Sequence, residues 1–441
     1  MFTSIGYHTF VIFKSLTQEE ADRLFNDFKR YRDNTKEIYI SSIPKYDKDP
    51  FARHYEIKYE GQYKGIWWKI RFSNRGFYEN GEFKPCSIKA VINPKTLIGE
   101  KSYIVAADSG MLEAVRSNFD QEAAKISSIL RGFNNYSLNR IDYCINFDLS
   151  ELKINCTPGL VKELPKLVME LIKCGDLPND YSEVYNDAYQ FYLKSDSVVI
   201  NCYWKYAELN ENFPDCKDLT KSYDIIRFEV QYRYPKVSIE IKKYKQEIER
   251  RYSAMTKILK KYGKGVFLEN RDNIDELKLY EMQREYSRLN EIMIMENMLS
   301  DERCTRTIED YFSKIIKKGD YYTFDAAKRI IERDTSKWEK TVRLTDTLNT
   351  IRDYGGIAKA KGTLQGKELE DFRRSLRELA KLGINPVTIP KEWGIERIPN
   401  LLDNYFLMRA EEQRKEKEEK ENKELIREYF KECGKVSHIK N

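Results

Sequence analysis

Residues 140–148 read RIDYCINFD, and this stretch is the key to the fold of the N-terminal half of the chain. Successive side chains of a β-strand point to opposite faces of a sheet, so residues two apart share a face. One face of the stretch is apolar and consists of Ile141, Tyr143, Ile145 and Phe147. The other face carries Arg140, Asp142, Cys144, Asn146 and Asp148. The pattern predicts a strand that is buried on one side and presents ionisable groups on the other.

Two later stretches alternate in the same way. In residues 198–206 the apolar positions are Val198, Ile200, Cys202, Trp204 and Tyr206, and the opposite face holds Asn201, Tyr203 and Lys205. In residues 226–233 the apolar positions are Ile226, Phe228, Val230 and Tyr232, and the opposite face holds Arg227, Glu229, Gln231 and Arg233. We therefore expect three strands that share one chemical face.

Short β-rich runs dominate the chain up to about residue 237. They occupy residues 6–13, 37–43, 53–59, 65–72, 86–92, 140–148, 197–206 and 224–234. Helical spacing of apolar residues interrupts them at 112–130 and 160–172. Because few crossover helices separate the early strands, the pattern predicts an α+β fold, with a largely antiparallel central sheet and helices packed on one face.

After Pro235 the pattern becomes helical. A helix is predicted from Ser238, a residue type that often caps helices, to Tyr262, with Gly263 ending it. Further helices are predicted at 274–299, 308–317, 324–332, 338–353 and 369–382. Residues 409–424 are nearly all charged with alternating sign, which is typical of a solvated single helix.

The composition excludes several classes of protein. The 441 residues include 77 Lys and Arg and 71 Asp and Glu, a formal net charge of +6 that is mild for this length. No stretch approaches about 18 uncharged apolar residues, so no membrane span is expected, and the N-terminus is interpreted as a strand and not a signal peptide. The eight cysteines contain no C-x-x-C pair, so reduced thiols in a cytoplasmic protein are expected and a structural zinc site is not.

The three polar faces together suit phosphodiester chemistry. They carry three carboxylates, four cations and one tyrosine: Asp142, Asp148, Glu229, Arg140, Lys205, Arg227, Arg233 and Tyr203. Carboxylates are the ligands that Mg²⁺ or Mn²⁺ prefers, and a tyrosine hydroxyl can attack phosphorus. The ammonium of Lys205 would favour the phenolate of Tyr203. A half-solvated antiparallel sheet alternates in the same way, so this simpler interpretation stays open.

Several motifs, in the same order, resemble those of the rolling-circle replication initiators of the filamentous-phage gene II/X family and of the related Rep-trans plasmid initiators. The segments are LNRIDYCINFDLSE (138–151), INCYWKYAELN (200–210) and IIRFEVQYRYPK (225–236). KPCSIKAVINPKTLIGE (84–100) and GIWWKIRF (65–72) are similar to stretches that precede these motifs. The resemblance covers about residues 55–237, with a faint further match at 369–384.

The resemblance implies an enzyme that nicks one strand at a double-strand origin, keeps a 5′-phosphotyrosine, leaves a 3′-hydroxyl and later rejoins the DNA. It also implies a sheet like that of the HUH endonucleases, with the active site on one face. The implied partners are origin DNA, as a single-stranded or hairpin nick site with flanking duplex, and a host helicase and polymerase. A homodimer stays open.

The family residues can be transferred to numbered positions of this chain. The tyrosine and lysine fall on Tyr203 and Lys205, and the carboxylates fall on Asp142 and Glu229. Two family arginines fall on Arg140 and Arg227. The chain has no H-x-H pair, so carboxylates would have to bind Mg²⁺ or Mn²⁺, with His54 as a further candidate. Asn146 stands where the plasmid initiators have a second carboxylate, and Asp148 is either its substitute or only a strand-end residue. Hydrophobic Val91 stands where the family has another ligand.

A basic segment directly follows the third strand. Residues 238–264 contain nine basic and three acidic residues, and the outer face of their helix could follow DNA phosphates. The predicted DNA contacts are Arg140, Arg227, Arg233, Lys242, Lys243, Lys245, Arg250, Arg251, Lys257, Lys260 and Lys261. A second candidate region holds Lys359, Lys361, Arg373, Arg374, Arg377 and Lys381. A solvated helix face is the alternative for both.

These patterns predict four parts of the chain. Residues 1–237 form a catalytic nicking domain, and 238–300 form a basic long-helix region. Residues 301–405 form a helical DNA-recognition domain of helix-turn-helix or winged-helix type, and 406–441 form a charged helical tail. Two alternative functions stay open: a conjugative relaxase that acts at a transfer origin, and a non-catalytic regulator that only binds origin DNA.

Overall fold

The protein is described by a computed structural model that covers residues 4–43, 52–59, 64–79, 81–100, 102–155, 157–267, 281, 284 and 291–437. The chain divides into two compact units. The sheet unit comprises residues 2–146 and 178–311, and the helical unit comprises residues 147–177 and 312–441. The predicted α+β class is confirmed, with one large sheet and a helical C-terminal half.

Twelve strands are described in the sheet unit, and ten of them form one large sheet. The strands are β1 (Ser4–Leu16), β2 (Ile38–Ile43), β3 (Arg53–Tyr59), β4 (Ile66–Phe72), β5 (Phe77–Glu79), β6 (Glu82–Lys84), β7 (Cys86–Ile92), β8 (Ser137–Asp148), β9 (Ser182–Asn186), β10 (Gln190–Lys194), β11 (Val198–Trp204) and β12 (Ile225–Tyr232). The order in the sheet is β2-β3-β4-β7-β1-β8-β12-β11-β10-β9, and β5 and β6 form a separate hairpin. Neighbours pair antiparallel from β2 to β8 and from β12 to β9.

Helices occur in both units. They are α1 (Gln18–Thr35), α2 (Pro94–Leu97), α3 (Leu112–Ile126), α4 (Pro158–Val161), α5 (Leu164–Lys173), α6 (Lys205–Asn212), α7 (Tyr234–Phe267), α8 (Glu291–Met298), α9 (Asp301–Ile315), α10 (Phe324–Asp334), α11 (Trp338–Tyr354), α12 (Ile357–Thr363), α13 (Gly366–Lys381) and α14 (Leu401–Ser437). In the helical unit, β13 (Tyr321–Tyr322) pairs with β14 (Arg397–Ile398).

Aromatic side chains fix α1 and α3 on one face of the sheet. Trp68 of β4 packs against Phe28 of α1 and Phe119 of α3, with ring centroids 6.3 and 5.4 Å apart. Phe10 of β1 contacts Phe133, which also contacts Phe119. All five rings are at most 1% exposed, so a large apolar area is buried between these helices and the sheet. The prediction of a helix packed on one face is confirmed for α3, and α1, which was not predicted, packs on the same face.

The predicted strands are confirmed, most with shifted ends, and the boundaries predicted for the end of β11 and for both ends of α7 are wrong. β11 ends at Trp204 because Lys205 begins α6. The helix α7 begins at Tyr234, so Ser238 does not cap it, and it continues through Gly263. A glycine inside a helix costs only about 1 kcal/mol, which the rest of a long helix can offset. Most of the predicted helix 274–299 lies outside the described residues.

The helical unit has its own hydrophobic core. Its fully buried centre consists of Ala327, Ile331, Leu344, Leu348, Leu379 and Ile384, which lie on α10, α11 and α13 and just after α13. The segment 147–177 is fastened into this unit by Asp176, whose carboxylate accepts hydrogen bonds from Lys317 at 2.8 Å and Lys361 at 2.5 Å. The helices predicted at 308–317, 324–332, 338–353 and 369–382 are confirmed with shifted ends, and the one predicted at 160–172 is divided into α4 and α5.

Neither membrane spans nor disulfides occur in the described residues. No helix there is both long enough and apolar enough to cross a bilayer. The described cysteines Cys86, Cys144, Cys174, Cys202, Cys216 and Cys304 are all free thiols.

Candidate active site

Three neighbouring strands bring the predicted site residues together. β12 lies between β8 and β11 in the sheet. Across the β11–β12 pair, Asn201 is opposite Glu229 and Tyr203 is opposite Arg227. Opposed residues of antiparallel strands point to the same face with Cβ atoms about 4.5–5.5 Å apart. Asp142 of β8 belongs to the same group, since the charge of Glu229 acts on its carboxyl.

Tyr203 is a buried hydrogen-bond donor. Its hydroxyl donates to Oε1 of Glu229 at 2.8 Å, and the residue is only 6% exposed. Burial and then the negative charge of Glu229 hold the pKa of the phenol well above 10. Burial and Glu229 outweigh any effect of nearby cations on the phenol in this state, and the favourable effect of Lys205 on the phenolate stays a prediction. The phenol is neutral, and Glu229 is placed to receive its proton.

Lys205 lies beside Tyr203 although it belongs to α6 and not to the strand. Its Nζ lies 5.7 Å from the centroid of the Tyr203 ring and donates to Oε2 of Glu208 at 2.7 Å. Lys205 is 2% exposed. Burial, followed by the positive charge of Arg227, lowers the pKa of Lys205 to about 8. The ammonium can therefore release a proton near neutral pH, which an exposed lysine cannot do.

Arg227 is an internal cation. Its side chain is fully buried, and its Nη1 lies 3.7 Å from Oε1 of Glu229. Its Nε donates to Oδ1 of Asn146 at 2.6 Å, and its Nη2 donates to the carbonyls of Tyr103 and Ile104. Because the side chain of Arg227 is fully buried, it cannot contact DNA directly, contrary to its predicted role. Asn146 positions this guanidinium.

A glycine allows the 102–107 loop to approach the sheet. Tyr7 and Ala107 exchange backbone hydrogen bonds at 2.9 and 3.0 Å. A Cβ on the preceding Gly6 would lie 2.0 Å from the Ala107 carbonyl oxygen, so no larger residue fits there without displacement. The close approach brings the loop to β1, and the same loop supplies the carbonyls of Tyr103 and Ile104 that accept from Arg227.

Asp142 carries an unsatisfied buried oxygen. Its Oδ2 accepts from Nη2 of Arg140 at 2.8 Å, while its Oδ1 is buried without a partner in hydrogen-bonding geometry, although the nearby side chain of Gln231 lowers the pKa of the carboxyl. Burial raises the pKa of Asp142 to about 6; the charge of Glu229 adds to this effect, and Arg140 opposes it. A buried carboxylate with one free oxygen and a second carboxylate nearby is suited to receive a cation.

The residues present fit a hard divalent cation. The described residues contain no cluster of three His, Cys, Asp or Glu side chains that could hold a metal ion. They do contain a different oxygen set, because Oδ1 of Asn201 is also buried without a partner, and Asn201 stands opposite Glu229. Two carboxylates and an amide oxygen are the hard ligands that Mg²⁺ or Mn²⁺ prefers.

Asp148 and His54, the other predicted metal ligands, have different surroundings. Oδ1 of Asp148 accepts from the backbone N–H of Ser150 at 3.0 Å and from its hydroxyl at 2.5 Å, so this carboxylate caps a short 3₁₀ turn. Asp148 belongs to the helical unit. His54 lies on β3, and three strands (β4, β7 and β1) lie between β3 and β8 in the sheet.

His8 is a site residue that the sequence analysis did not select. A bulge in β1 shifts the register to β8 between Tyr7 and Thr9 and leaves His8 as the extra residue. Its Nδ1 is 3.1 Å from Oγ1 of Thr9. Burial and nearby cations, of which Arg227 is the strongest, hold the pKa of His8 well below 6.5. A neutral imidazole therefore faces the site. A bulge leaves no reliable signal in a sequence.

Some basic residues of α7 form ion pairs with acidic residues of the same helix, and the others do not. Lys243 pairs with Glu240 at 3.1 Å, and Arg251 pairs with Glu247 at 2.7 Å. The described cations of the helix without such a pair are Lys242, Lys245, Arg250 and Lys257. The side chains of Lys260 and Lys261 lie outside the described residues. Arg233, also a predicted contact, is half-buried between β12 and α7.

In the second candidate region for DNA contact, residues 359–381, some basic side chains pair with carboxylates of the helical unit. Lys361 donates to Asp176, and Arg374 pairs with Asp371 at 2.6 Å. Arg373, Arg377 and Lys381 are exposed on α13 at intervals of four residues, so they form a single stripe. This stripe is the part of the region that could contact phosphates.

The comparisons with known proteins add one structural likeness. No protein-family model and no curated protein matches this chain. Among solved structures, the rolling circle replication initiator protein from Geobacillus stearothermophilus is 12% identical, and the match covers 54% of this chain and 76% of that one with a TM-score of 0.24. A TM-score of this size does not establish a shared fold.

Proposed function

We propose that this chain is a rolling-circle replication initiator that nicks one strand of origin DNA by transesterification onto Tyr203. The observation that carries the proposal is the 2.8 Å hydrogen bond from the Tyr203 hydroxyl to Glu229, beside the buried cations Arg227 and Lys205. A hydroxyl with a proton acceptor and nearby positive charge suits attack on a phosphodiester. The motif order that resembles rolling-circle initiators supports the same function.

The chain's own residues supply the proton transfers. The Tyr203 oxygen attacks phosphorus while Glu229 accepts the phenol proton, and the bond from phosphorus to the 3′ oxygen breaks. Lys205, with a pKa of about 8, donates a proton to the leaving 3′ oxygen. The products are a 5′-phosphotyrosine and a free 3′-hydroxyl. Rejoining is the reverse attack by a 3′-hydroxyl, and a host polymerase and helicase would act between the two steps.

The metal proposal concerns Asp142, Glu229 and the amide oxygen of Asn201. These residues would hold Mg²⁺ or Mn²⁺, which when bound supplies positive charge that polarises the scissile phosphate. Arg140 holds Oδ2 of Asp142 at 2.8 Å and so orients the carboxylate with Oδ1 free.

Replacing the nucleophile tests the proposal. Tyr203→Phe should lower nicking of a supercoiled plasmid that carries the DNA flanking this gene by more than about 10³-fold, because no other group replaces the attacking oxygen. The covalent protein–DNA adduct should disappear from a denaturing gel, while DNA binding should be nearly unchanged. Tyr39→Phe is the matched control: Tyr39 is exposed on β2, away from the site, and this variant should nick normally.

The same gel separates the alternatives. Nicking by Tyr203→Phe at the wild-type rate would contradict the assignment. Origin binding by the wild-type chain without any adduct would instead support a non-catalytic regulator. A relaxase would form the adduct at a transfer origin, and a plasmid with only the flanking DNA would then fail to replicate.

A further inference from the structure

A cavity of about 430 Å³ opens beside Tyr203, which forms part of its wall. It is built entirely from residues of the sheet unit: the turn between β9 and β10, the end of β11 and the first turns of α6. Its characteristic lining residues are Tyr189, Trp204, Tyr206, Asp187, Glu208 and Glu211. Sites for small organic groups have volumes of about 300–1,000 Å³, so this cavity is large enough for one.

One wall of the cavity is a rigid aromatic platform. Trp204 is 5% exposed, and its ring centroid lies 5.7 Å from that of Tyr189, 5.3 Å from Tyr206 and 5.2 Å from Tyr223. The indole N–H of Trp204 donates to the Tyr223 carbonyl at 2.5 Å, which fixes the ring. Tyr189 is 41% exposed, so part of its ring is open to a ligand. Flat ligands stack on such surfaces.

The other wall accepts hydrogen bonds and carries negative charge. Oδ1 of Asp187 accepts from the backbone N–H groups of Tyr189 and Gln190 at 2.7 and 2.9 Å, so its position is fixed. Glu208 is held by Lys205. Glu211 is exposed and has no ion-pair or hydrogen-bond partner in the described part of the chain. Carboxylates repel a phosphate and accept N–H donors, so the wall favours a neutral ring that carries amino groups.

We propose that this cavity binds one unpaired DNA base and prefers a base that bears an amino group over thymine. Adenine, cytosine and guanine each have an exocyclic amino group, whereas thymine has carbonyl groups in its place. The base stacks on Tyr189, and its amino group donates to Glu211. Because Tyr203 lines the same cavity, the base is the one next to the scissile phosphate; this placement rests on the proposed function.

The test uses the full-length chain and a single-stranded thymidine oligonucleotide that contains one 2-aminopurine, a fluorescent base with an amino group. Stacking quenches its fluorescence, and anisotropy of a dye-labelled copy gives the Kd. We expect quenching by the wild-type chain, and a Kd about tenfold lower than for the same oligonucleotide with thymine only.

Variants of the two walls are expected to fail in different ways. Tyr189→Ala should lose both the quenching and the tenfold preference, whereas Tyr189→Phe, which keeps the ring, should retain both. Glu211→Ala, which has no side-chain acceptor, should lose most of the preference but keep the quenching. Tyr39→Ala is the matched control, because Tyr39 is 38% exposed on β2, away from the cavity, and this variant should behave as wild type.

The outcomes separate the cavity from the catalytic proposal. Equal affinity for both oligonucleotides, or full quenching by Tyr189→Ala, would overturn the base site even where Tyr203-dependent nicking is observed. A clear preference that depends on Tyr189 supports the base site. The same preference without any covalent adduct would support base binding and overturn only its placement beside a scissile phosphate.

Discussion

Burial determines the protonation chemistry of single residues in the candidate site. Asp142 and Lys205 are 6% and 2% exposed, and their pKa values move towards neutrality, to about 6 and about 8. The common cause is that burial penalises the charged form of each group. Both residues can therefore change protonation within the range in which enzymes work.

The pKa of Asp142 predicts a pH dependence of stability in the metal-free chain. The carboxyl has a pKa of about 6 when folded and an ordinary value of 3.8, so the folded chain binds this proton more tightly than the unfolded chain. Its contribution to the free energy of unfolding is complete below about pH 4 and is lost as the pH rises through about 6, with an upper limit of about 3 kcal/mol. Asp142→Asn should remove this part of the slope in urea unfolding measured with a chelator present.

Addition of Mn²⁺ provides the second half of this experiment. Above about pH 6 the ion should raise the Tm of the wild-type chain, because the free carboxylate then binds it. Asp142→Asn and Asn201→Ala should lose the increase, and Asp148→Asn should keep it. A rise in Tm that is equal in wild type and Asp142→Asn would remove Asp142 from the ligand set.

At the scale of elements, α7 directly follows β12, the strand that carries Arg227 and Glu229. Its apolar stripe is buried at Val237 and Ile248, which leaves its charged residues outside. Internal ion pairs neutralise some of these charges: Glu240 accepts from Lys236, Lys243 and Arg303. The DNA affinity of the helix should therefore come from the cations that lack a carboxylate partner.

The salt dependence of DNA binding tests this division. Combined alanine replacement of Lys242, Lys245, Arg250 and Lys257 should reduce the slope of log K against log salt by about 3 to 4, since each phosphate contact contributes about 0.9. Replacement of Lys243 and Arg251, which are paired internally, should change the slope much less. If both sets of replacements change the slope equally, only the net charge of α7 affects DNA binding, and no particular set of its cations contacts the phosphates.

Local signals predicted some elements better than others. β3 and β7 have the predicted bounds Arg53–Tyr59 and Cys86–Ile92, since period-two alternation marks strands clearly. The helix α1 was not predicted, although Thr17 and Glu20 form a capping box that the sequence T-x-x-E encodes. The end of β11 was misplaced because alternation cannot reveal that Lys205 begins a helix.

At the scale of the whole molecule, the chain leaves the sheet unit after Asn146 and returns to it at Pro178. The intervening segment carries α5, which belongs to the helical unit and has a buried apolar side. Backbone hydrogen bonds from Ile357 to Cys174 at 2.8 Å and from Ala358 to Gly175 at 3.2 Å join the segment to that unit. The helical unit therefore needs two distant parts of the chain.

Truncation should reveal this dependence. A chain that ends at Tyr311 lacks most of the helical unit, so the apolar side chains of α5 should become exposed, and the protein should bind a hydrophobic dye and aggregate. A chain that ends at Ala410 loses residues whose described side chains are nearly all exposed, and it should keep the Tm of the full chain. A soluble, dye-free chain ending at Tyr311 would contradict the role assigned to segment 147–177.

The sequence alone determined the α+β class, the main strands and the face on which Asp142, Tyr203 and Glu229 lie, because alternation with period two is a local property of the chain. Only the tertiary structure decided which charges meet. It buried Arg227 against Asn146, placed the Tyr203 hydroxyl on Glu229 and added Asn201 and His8 to the group. These features depend on cross-strand register, bulges and burial, which distant segments impose and which no single stretch of sequence contains.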